Sequence, residues 1–359
     1  MNSRTRWLLG IGLPVVLIVV VVGVFVWRGT AANQTPSGGI SSSPSVHNLT
    51  TMTLALDWTP NTNHTGIYVA LAKGWYRQQG INLQILPYSQ NVSPETLVSN
   101  GKADVAISST ESEVTYTALG QPMVSIAAII QHNTSELVTL ADSGMTRPRD
   151  LDNKTYGGFG APYESSVVGE IIRHDGGQGK FKNVTLTVDA MEALKSHRID
   201  FAWIYQGWEG IQAQREGMKL NIFPVTDYGV SDYYTPTIAT SPNEIKQKSD
   251  LLRRFMAATS QGYEYARTHP HGAAQLLINE NPKGTFPDPG LVFASQDYLS
   301  SRYADPARQW GLQDAQAWHG YPQFILNSGS IANAAGKPVT SMNFDALYTN
   351  QFLPPRATS

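Results

Sequence analysis

Four short stretches gather side chains suited to recognising a flat, polar heterocycle. The first is Asp57-Trp58-Thr59-Pro60-Asn61-Thr62-Asn63-His64-Thr65-Gly66. An indole face stacks on an aromatic ring and its N–H donates, while amides and an imidazole offer donors and acceptors together. The same residues also fit an Asx-rich turn that caps a helix, with Trp58 in the core. The second stretch, Ile107-Ser108-Ser109-Thr110-Glu111-Ser112-Glu113, sets hydroxyls and backbone N–H groups at a helix start. Such a start holds anions or acceptors, and it equally makes an ordinary N-cap. The third, Gly157-Gly158-Phe159-Gly160-Ala161-Pro162-Tyr163-Glu164, is a glycine-rich turn that lets backbone approach a ligand. No Gly-Lys-Ser/Thr follows, so it is not a Walker loop; a plain tight turn is the alternative. The fourth, Trp203-Ile204-Tyr205-Gln206-Gly207-Trp208-Glu209-Gly210, places a carboxylate beside aromatic surfaces. That pairing suits an amino-heterocycle, stacked on one side and accepted at its N–H groups; a core strand running into a helix is the alternative.

The candidate ligand-binding residues are Asp57, Trp58, Asn61, His64, Ser108, Ser109, Glu111, Tyr163, Glu164, Tyr205, Trp208, Glu209 and Tyr234. Tyr234 follows Tyr233 near the return crossover and fits either a cleft wall or a hinge. Neither a Gly-x-Ser-x-Gly elbow nor a His-Glu-x-x-His pair occurs, and the 8 His are scattered. His269-Pro270-His271 reads as a helix start. No catalytic residue, metal or cofactor is expected.

Elements of the right period precede these stretches. Met52–Asp57, Ile81–Leu86, Asp104–Ile107 and Val124–Ile130 read as strands, with helices over His64–Gln79, Pro94–Asn100 and Glu111–Leu119 between them. The pattern restarts with strands at Thr155–Phe159, Val184–Val188 and Asp200–Tyr205 and helices at Ser165–His174 and Ala190–Ser196. Helical periodicity then covers Glu244–Arg267, Pro270–Asn279, Asp288–Tyr303 and Asp314–Ser328. Alternating strands and helices predict an α/β protein with mostly parallel sheets in two lobes. The helical last third is expected to pack back on the first lobe. Ligands of such sheets bind beyond the carboxyl ends of the strands, here facing one interlobe cleft.

A chain of 359 residues exceeds one ordinary core, in keeping with two lobes. Lys and Arg number 26 against 28 Asp and Glu, a balance that lacks the basic face of a nucleic-acid binder. Cys is absent, which excludes disulfides, thiolate chemistry and a lipid anchor on an N-terminal Cys. Charged residues make only 15% and aromatics 10%, which favours recognition by stacking.

Trp7–Trp27 carries no charged residue and is long enough, at about 1.5 Å per residue, to cross the bilayer core as a helix. Arg4 and Arg6 precede it, which orients the N-terminus inside. A cleaved signal peptide ending near Thr30-Ala31-Ala32 is the competing reading. The region 29–50 is uncharged and rich in Ser, Thr, Asn, Gly and Pro, the composition of a flexible tether. The expected location is the cell membrane, single-pass, with the rest of the chain extracytoplasmic.

Asp57-Trp58-Thr59-Pro60-Asn61-Thr62-Asn63-His64-Thr65-Gly66-Ile67-Tyr68, followed by Ala72-Lys73-Gly74-Trp75-Tyr76, resembles the opening of thiamine-pyrimidine-precursor binding proteins. These stand in the wider class of ABC-transporter substrate-binding proteins that also take sulfonates, nitrate and riboflavin. Gly101-Lys102-Ala103-Asp104, Asp150–Lys154, Trp208-Glu209 and Thr349–Leu353 fit as well, so the likeness spans about residues 51–354. It implies a type II periplasmic-binding (clamshell) fold, with an anchor at 1–28, a tether at 29–50, lobe one at 51–137 plus 236–354, and lobe two at 138–235. It implies a small heteroaromatic ligand, stacked on Trp58 and hydrogen-bonded by Glu209 and the Asn61/His64 loop, and an ABC permease as partner. A monomer is expected, without nucleic acid. Riboflavin or another heteroaromatic or a sulfonate is the alternative ligand. The family also holds pyrimidine synthases with a pyridoxal-phosphate lysine and a cysteine run; here Ser108 stands at the lysine position and Cys is absent, which argues against that chemistry.

Overall fold

The computed structural model describes residues 49–186 and 189–355. The expected membrane helix, and the tether up to residue 48, lie outside them. Among the described residues no helix is long and apolar enough to cross a membrane.

The first part of the chain alternates β1 (Thr50–Ala55), α1 (Thr65–Ala72), α2 (Trp75–Gln78), β2 (Ile81–Leu86), α3 (Pro94–Ser99), β3 (Val105–Ser108), α4 (Thr110–Ala118) and β4 (Val124–Ala128). The second part runs β5 (Ser135–Leu140), β6 (Thr155–Gly158), α5 (Glu164–His174), β7 (Lys182–Thr185), α6 (Ala190–Lys195), β8 (Phe201–Tyr205), α7 (Ile211–Arg215) and β9 (Leu220–Pro224). The chain then returns through β10 (Thr237–Thr240) to α8 (Pro242–Thr268), α9 (Pro270–Asn279), α10 (Pro289–Ser300) and α11 (Ala315–Asn327). His269-Pro270-His271 does open a helix, with Pro270 at its first position, where a missing N–H costs nothing.

Two sheets of five strands result, in the orders β2-β1-β3-β10-β4 and β7-β6-β8-β5-β9. β1, β2 and β3 run parallel, as do β6, β7 and β8. Each sheet takes an antiparallel strand from a segment that has just crossed over: β5 against β8, and β10 against β3 and β4. The parallel strands point their carboxyl ends one way, so the loops after β1 and β3 share one end of the first sheet. Those after β6 and β8 share one end of the second.

The expected single helix over His64–Gln79 is broken. Gly74 sits at φ 69, a left-handed conformation that glycine adopts without strain, and α1 ends before it. One core covers the first sheet, where Leu54, Ile107, Ile126, Phe255 and Trp310 are fully or almost fully buried. Helices α8 and α9 pack on that side against α1, and α10 packs on α8, α9 and also α7. Helix α11 packs on the first part of the chain as well and also reaches the second sheet. It lies on α4, and its Trp318 and Tyr321 share a cluster with Val114, Tyr233 and the second sheet's Tyr156 and Phe201.

Candidate functional site

The loop after β1 is built from its own polar groups. The Asn61 side-chain oxygen accepts from the Asn63 N–H at 2.9 Å. The Asn61 N–H donates to His64 Nδ1 at 3.3 Å, so the hydrogen of this ring sits on Nε2, which donates to Asp57 Oδ1 at 2.9 Å. Asn61 and His64 are buried. They hold the turn, which is the capping alternative. The other half of that alternative fails: Trp58 is 46% exposed and not in the core. Its ring lies 4.7 Å from that of Tyr88.

After β3, Ser109 caps α4 by accepting from the Ser112 N–H at 3.2 Å, and the Ser108 hydroxyl donates to Glu95 Oε1 at 2.7 Å. Glu113 accepts from the Thr237 hydroxyl at 2.7 Å. Three carboxyls, Glu95, Glu111 and Glu113, are thus buried around the N-terminal turn of α4. Burial pushes all three up from the ordinary carboxylate range.

Glu111 is the group on which both sheets converge. Its Oε1 accepts from the Tyr321 hydroxyl of α11 at 3.2 Å, and the hydroxyls of Tyr233 and Ser109 also bear on the carboxyl. Burial raises the hydroxyls of Tyr163, Tyr205 and Tyr233, and the nearby Glu111 charge raises each further. These tyrosines come from the start of α5, the end of β8 and the return crossover. Tyr233 also stacks on Tyr321 with centroids 3.6 Å apart.

The glycine-rich turn after β6 is organised by Glu164. Its buried carboxylate accepts from the Tyr156 hydroxyl at 2.9 Å, from the Phe159 N–H at 3.0 Å and from the Ala161 N–H. The turn thereby presents Phe159, which is 49% exposed. After β8, Glu209 accepts from the Tyr205 N–H at 3.2 Å, and burial pushes its carboxyl up to about 7. Trp208 packs beside Tyr68, Ala274, Leu277 and Val292. The Tyr234 hydroxyl accepts from the Asp314 N–H at 2.9 Å, and its carbonyl accepts from the Thr110 hydroxyl at 2.8 Å.

The structure therefore brings Glu111, Tyr163 and Tyr205 together, with the charge of Asp57 also acting on Tyr205. Asn61, His64, Ser109 and Glu164 shape the loops around them. Trp208 and Tyr234 sit in packing and hinge positions. Sequence reasoning passed over Tyr88, Glu95, Glu113 and Phe159. The one available signal was Phe159, a large apolar residue in a glycine run.

The chain is similar in sequence and in fold to known proteins. The family model described as NMT1/THI5 like matches residues 61–273. The formylaminopyrimidine-binding protein of Halalkalibacterium halodurans is 26% identical over 275 residues, 75% of this chain and 83% of that protein. The 4-amino-5-hydroxymethyl-2-methylpyrimidine phosphate synthase of Legionella pneumophila is 24% identical over 310 residues, 84% of this chain and 92% of that protein. Among solved structures, the alkanesulfonate-binding protein SsuA of Xanthomonas axonopodis, bound to MOPS, superposes with TM-score 0.62 at 12% identity, over 82% of this chain and 97% of that one. The two five-stranded sheets and their crossovers thus form the periplasmic-binding-protein fold, and the chain belongs to the NMT1/THI5-like family.

Proposed function

We propose that this chain is the solute-binding subunit of an ABC importer and that it holds a thiamine pyrimidine precursor, of the hydroxymethylpyrimidine or formylaminopyrimidine type, between its two sheets. The observation that carries the reading is Glu111: a buried carboxyl among tyrosines from both sides. Burial shifts this carboxyl toward its protonated form, which sets an O–H donor beside a carbonyl acceptor. A 4-aminopyrimidine carries the complement, a ring nitrogen beside an amino N–H. Trp58 and Phe159 supply exposed aromatic faces for stacking.

Charge supports this ligand over a sulfonate. Asp57, Glu164 and Glu209 stand in the loops around the proposed position, and an anion there meets like charge. Binding rather than synthesis is supported by Ser108. Its hydroxyl is engaged with Glu95 and cannot form the imine that a lysine would. We further propose a monomer tethered by Trp7–Trp27, with the binding part outside the cell. Closure of the two sheets on the ligand would then present the face that a permease reads.

Native mass spectrometry of the freshly purified full-length chain tests for a retained ligand. Calorimetry with the two pyrimidines, riboflavin and an alkanesulfonate follows. A pyrimidine should bind, and Trp58→Ala and Glu209→Ala should weaken it. Binding of riboflavin or the sulfonate alone, or pyrimidine affinity unchanged in both variants, would overturn the proposal.

A further inference from the structure

Helix α10 runs along the boundary between the two sheets. Its Leu299 belongs to the core of the first sheet. Helix α7 and the turn before it, Gln206–Gly210, follow β8, and Ala213 of α7 belongs to a core with Val138 and Ile204 of the second sheet. The two sides meet in a row of contacts along α10. Just beyond its carboxyl end, the Arg302 carbonyl accepts from the Gln131 N–H of the first crossover at 2.9 Å. Further along, a Cβ on Gly207 would fall 2.7 Å from Leu299 Cδ2, and the Gly207 carbonyl accepts from the Ser295 hydroxyl. At the amino end, Arg215 of α7 reaches Asp288, the N-cap of α10.

The last contact differs from the others in kind. Gly207, Ser295 and Leu299 are buried, as a permanent junction requires. The Arg215 and Asp288 side chains are 39% and 53% exposed, so water and salt reach both charges. Their geometry is nevertheless bidentate: Arg215 Nε donates to Asp288 Oδ2 at 2.9 Å and Nη2 to Oδ1 at 3.0 Å. Gly290 makes room for it, since a Cβ there would fall 2.3 Å from Arg215 Nη2. The guanidinium also holds the Asp288 carboxyl below the usual carboxylate range, so both partners are charged at neutral pH. The 12 residues of α10 span about 18 Å, which sets this pair far from the crossover on which the sheets would turn. A rotation there moves the far end most. It pulls two parallel hydrogen bonds out of line while the buried contacts near the crossover act as the pivot.

We propose that Arg215 and Asp288 form a releasable latch between the two sheets, one that favours their closed arrangement before any ligand arrives. The inference rests on the closing movement of the proposed solute-binding role, and not on which ligand is held. An exposed ion pair shifts a two-state equilibrium by about two- to fivefold. That is enough to bias the sheets toward closure and too little to lock them, so a bound solute can still leave. Salt screens the pair and should open the protein.

The chain has no Cys, so Lys102→Cys and Lys182→Cys place one nitroxide label on each side, at exposed positions just before β3 and at the start of β7. Pulsed electron resonance then reads the distance between the labels in the ligand-free, full-length protein. Arg215→Gln and Asp288→Asn each remove one charge, and Asn keeps the cap that Asp288 gives the Gly290 N–H. Each variant should raise the ratio of open to closed distances two- to fivefold over the parent. The double variant should open no further than either single one, and 1 M NaCl should open the parent but not the double variant. Identical distances in the parent and both single variants, or single effects that add in the double variant, overturn the proposal. Failure of a pyrimidine to bind in calorimetry concerns the cleft alone and leaves these distances unchanged.

Discussion

His64 Nε2 donates to Asp57 Oδ1 at 2.9 Å and ties the end of β1 to the start of α1. The imidazole is fully buried and also accepts from the Asn61 N–H. His64→Ala removes both bonds, strands a backbone donor and leaves a cavity. The expected loss is about 2–3 kcal/mol in urea unfolding. Trp58 sits inside this loop, so ligand affinity should fall as well. Stability within about 0.5 kcal/mol of the parent would show that the loop holds without the imidazole.

Trp58 and Phe159 should separate binding from folding. Both are nearly half exposed, so truncation exposes little core. Trp58→Ala and Phe159→Ala are each expected to change stability by under about 1 kcal/mol. Each should weaken the aminopyrimidine about tenfold, the worth of a stacked ring. Calorimetry and thermal melting read the two effects independently. Affinity loss in neither variant would move the ligand away from these rings.

Gly158 cannot take a side chain without displacing Glu164. A Cβ there would fall on Glu164 Oε2 and within 2.5 Å of the Tyr156 ring. Glu164 in turn holds the N–H groups of Phe159 and Ala161. Gly158→Ala should therefore cost about 1–3 kcal/mol and disorder the turn that presents Phe159. Thermal melting together with the calorimetric affinity checks this. A variant that melts and binds as the parent does would mean that the turn rearranges freely.

The period of the sequence made the early elements legible because Met52–Ala55 and Ile81–Leu86 are long enough to alternate. β10 is only Thr237-Ile238-Ala239-Thr240, too short for any period to register. β5 was missed because Ser135, Glu136 and Thr139 leave only Leu137, Val138 and Leu140 apolar, with no strict alternation, although the strand is buried from Ser135 to Thr139. The loops after the strands were identifiable from residue type, but their division of labour was not. Asn61 and Glu164 look like ligand contacts in sequence, and folding commits them to local backbone N–H groups. Glu95 and Glu113 look like surface acids, and only the return of β10 and the packing of α3 against β3 bury them. Those contacts join residues far apart in the chain, where no local pattern reports them.

Glu136 makes stability depend on pH in a definite direction. Its carboxyl is raised from 4.5 to about 7, and burial is the cause. Between those values the folded protein keeps a proton that the unfolded chain has released. The Glu136 contribution is therefore fully present below pH 4.5 and is lost as pH rises through about 7. Glu136→Gln abolishes the ionisation. The variant should match the parent at about pH 4 and exceed it at about pH 8, by on the order of 1 kcal/mol once solvent screening is allowed for. Urea unfolding of both proteins across this range measures the difference. A gap of the same size at both ends would trace to packing of the amide. A gap that opens only as pH rises identifies the buried, unpaired carboxylate.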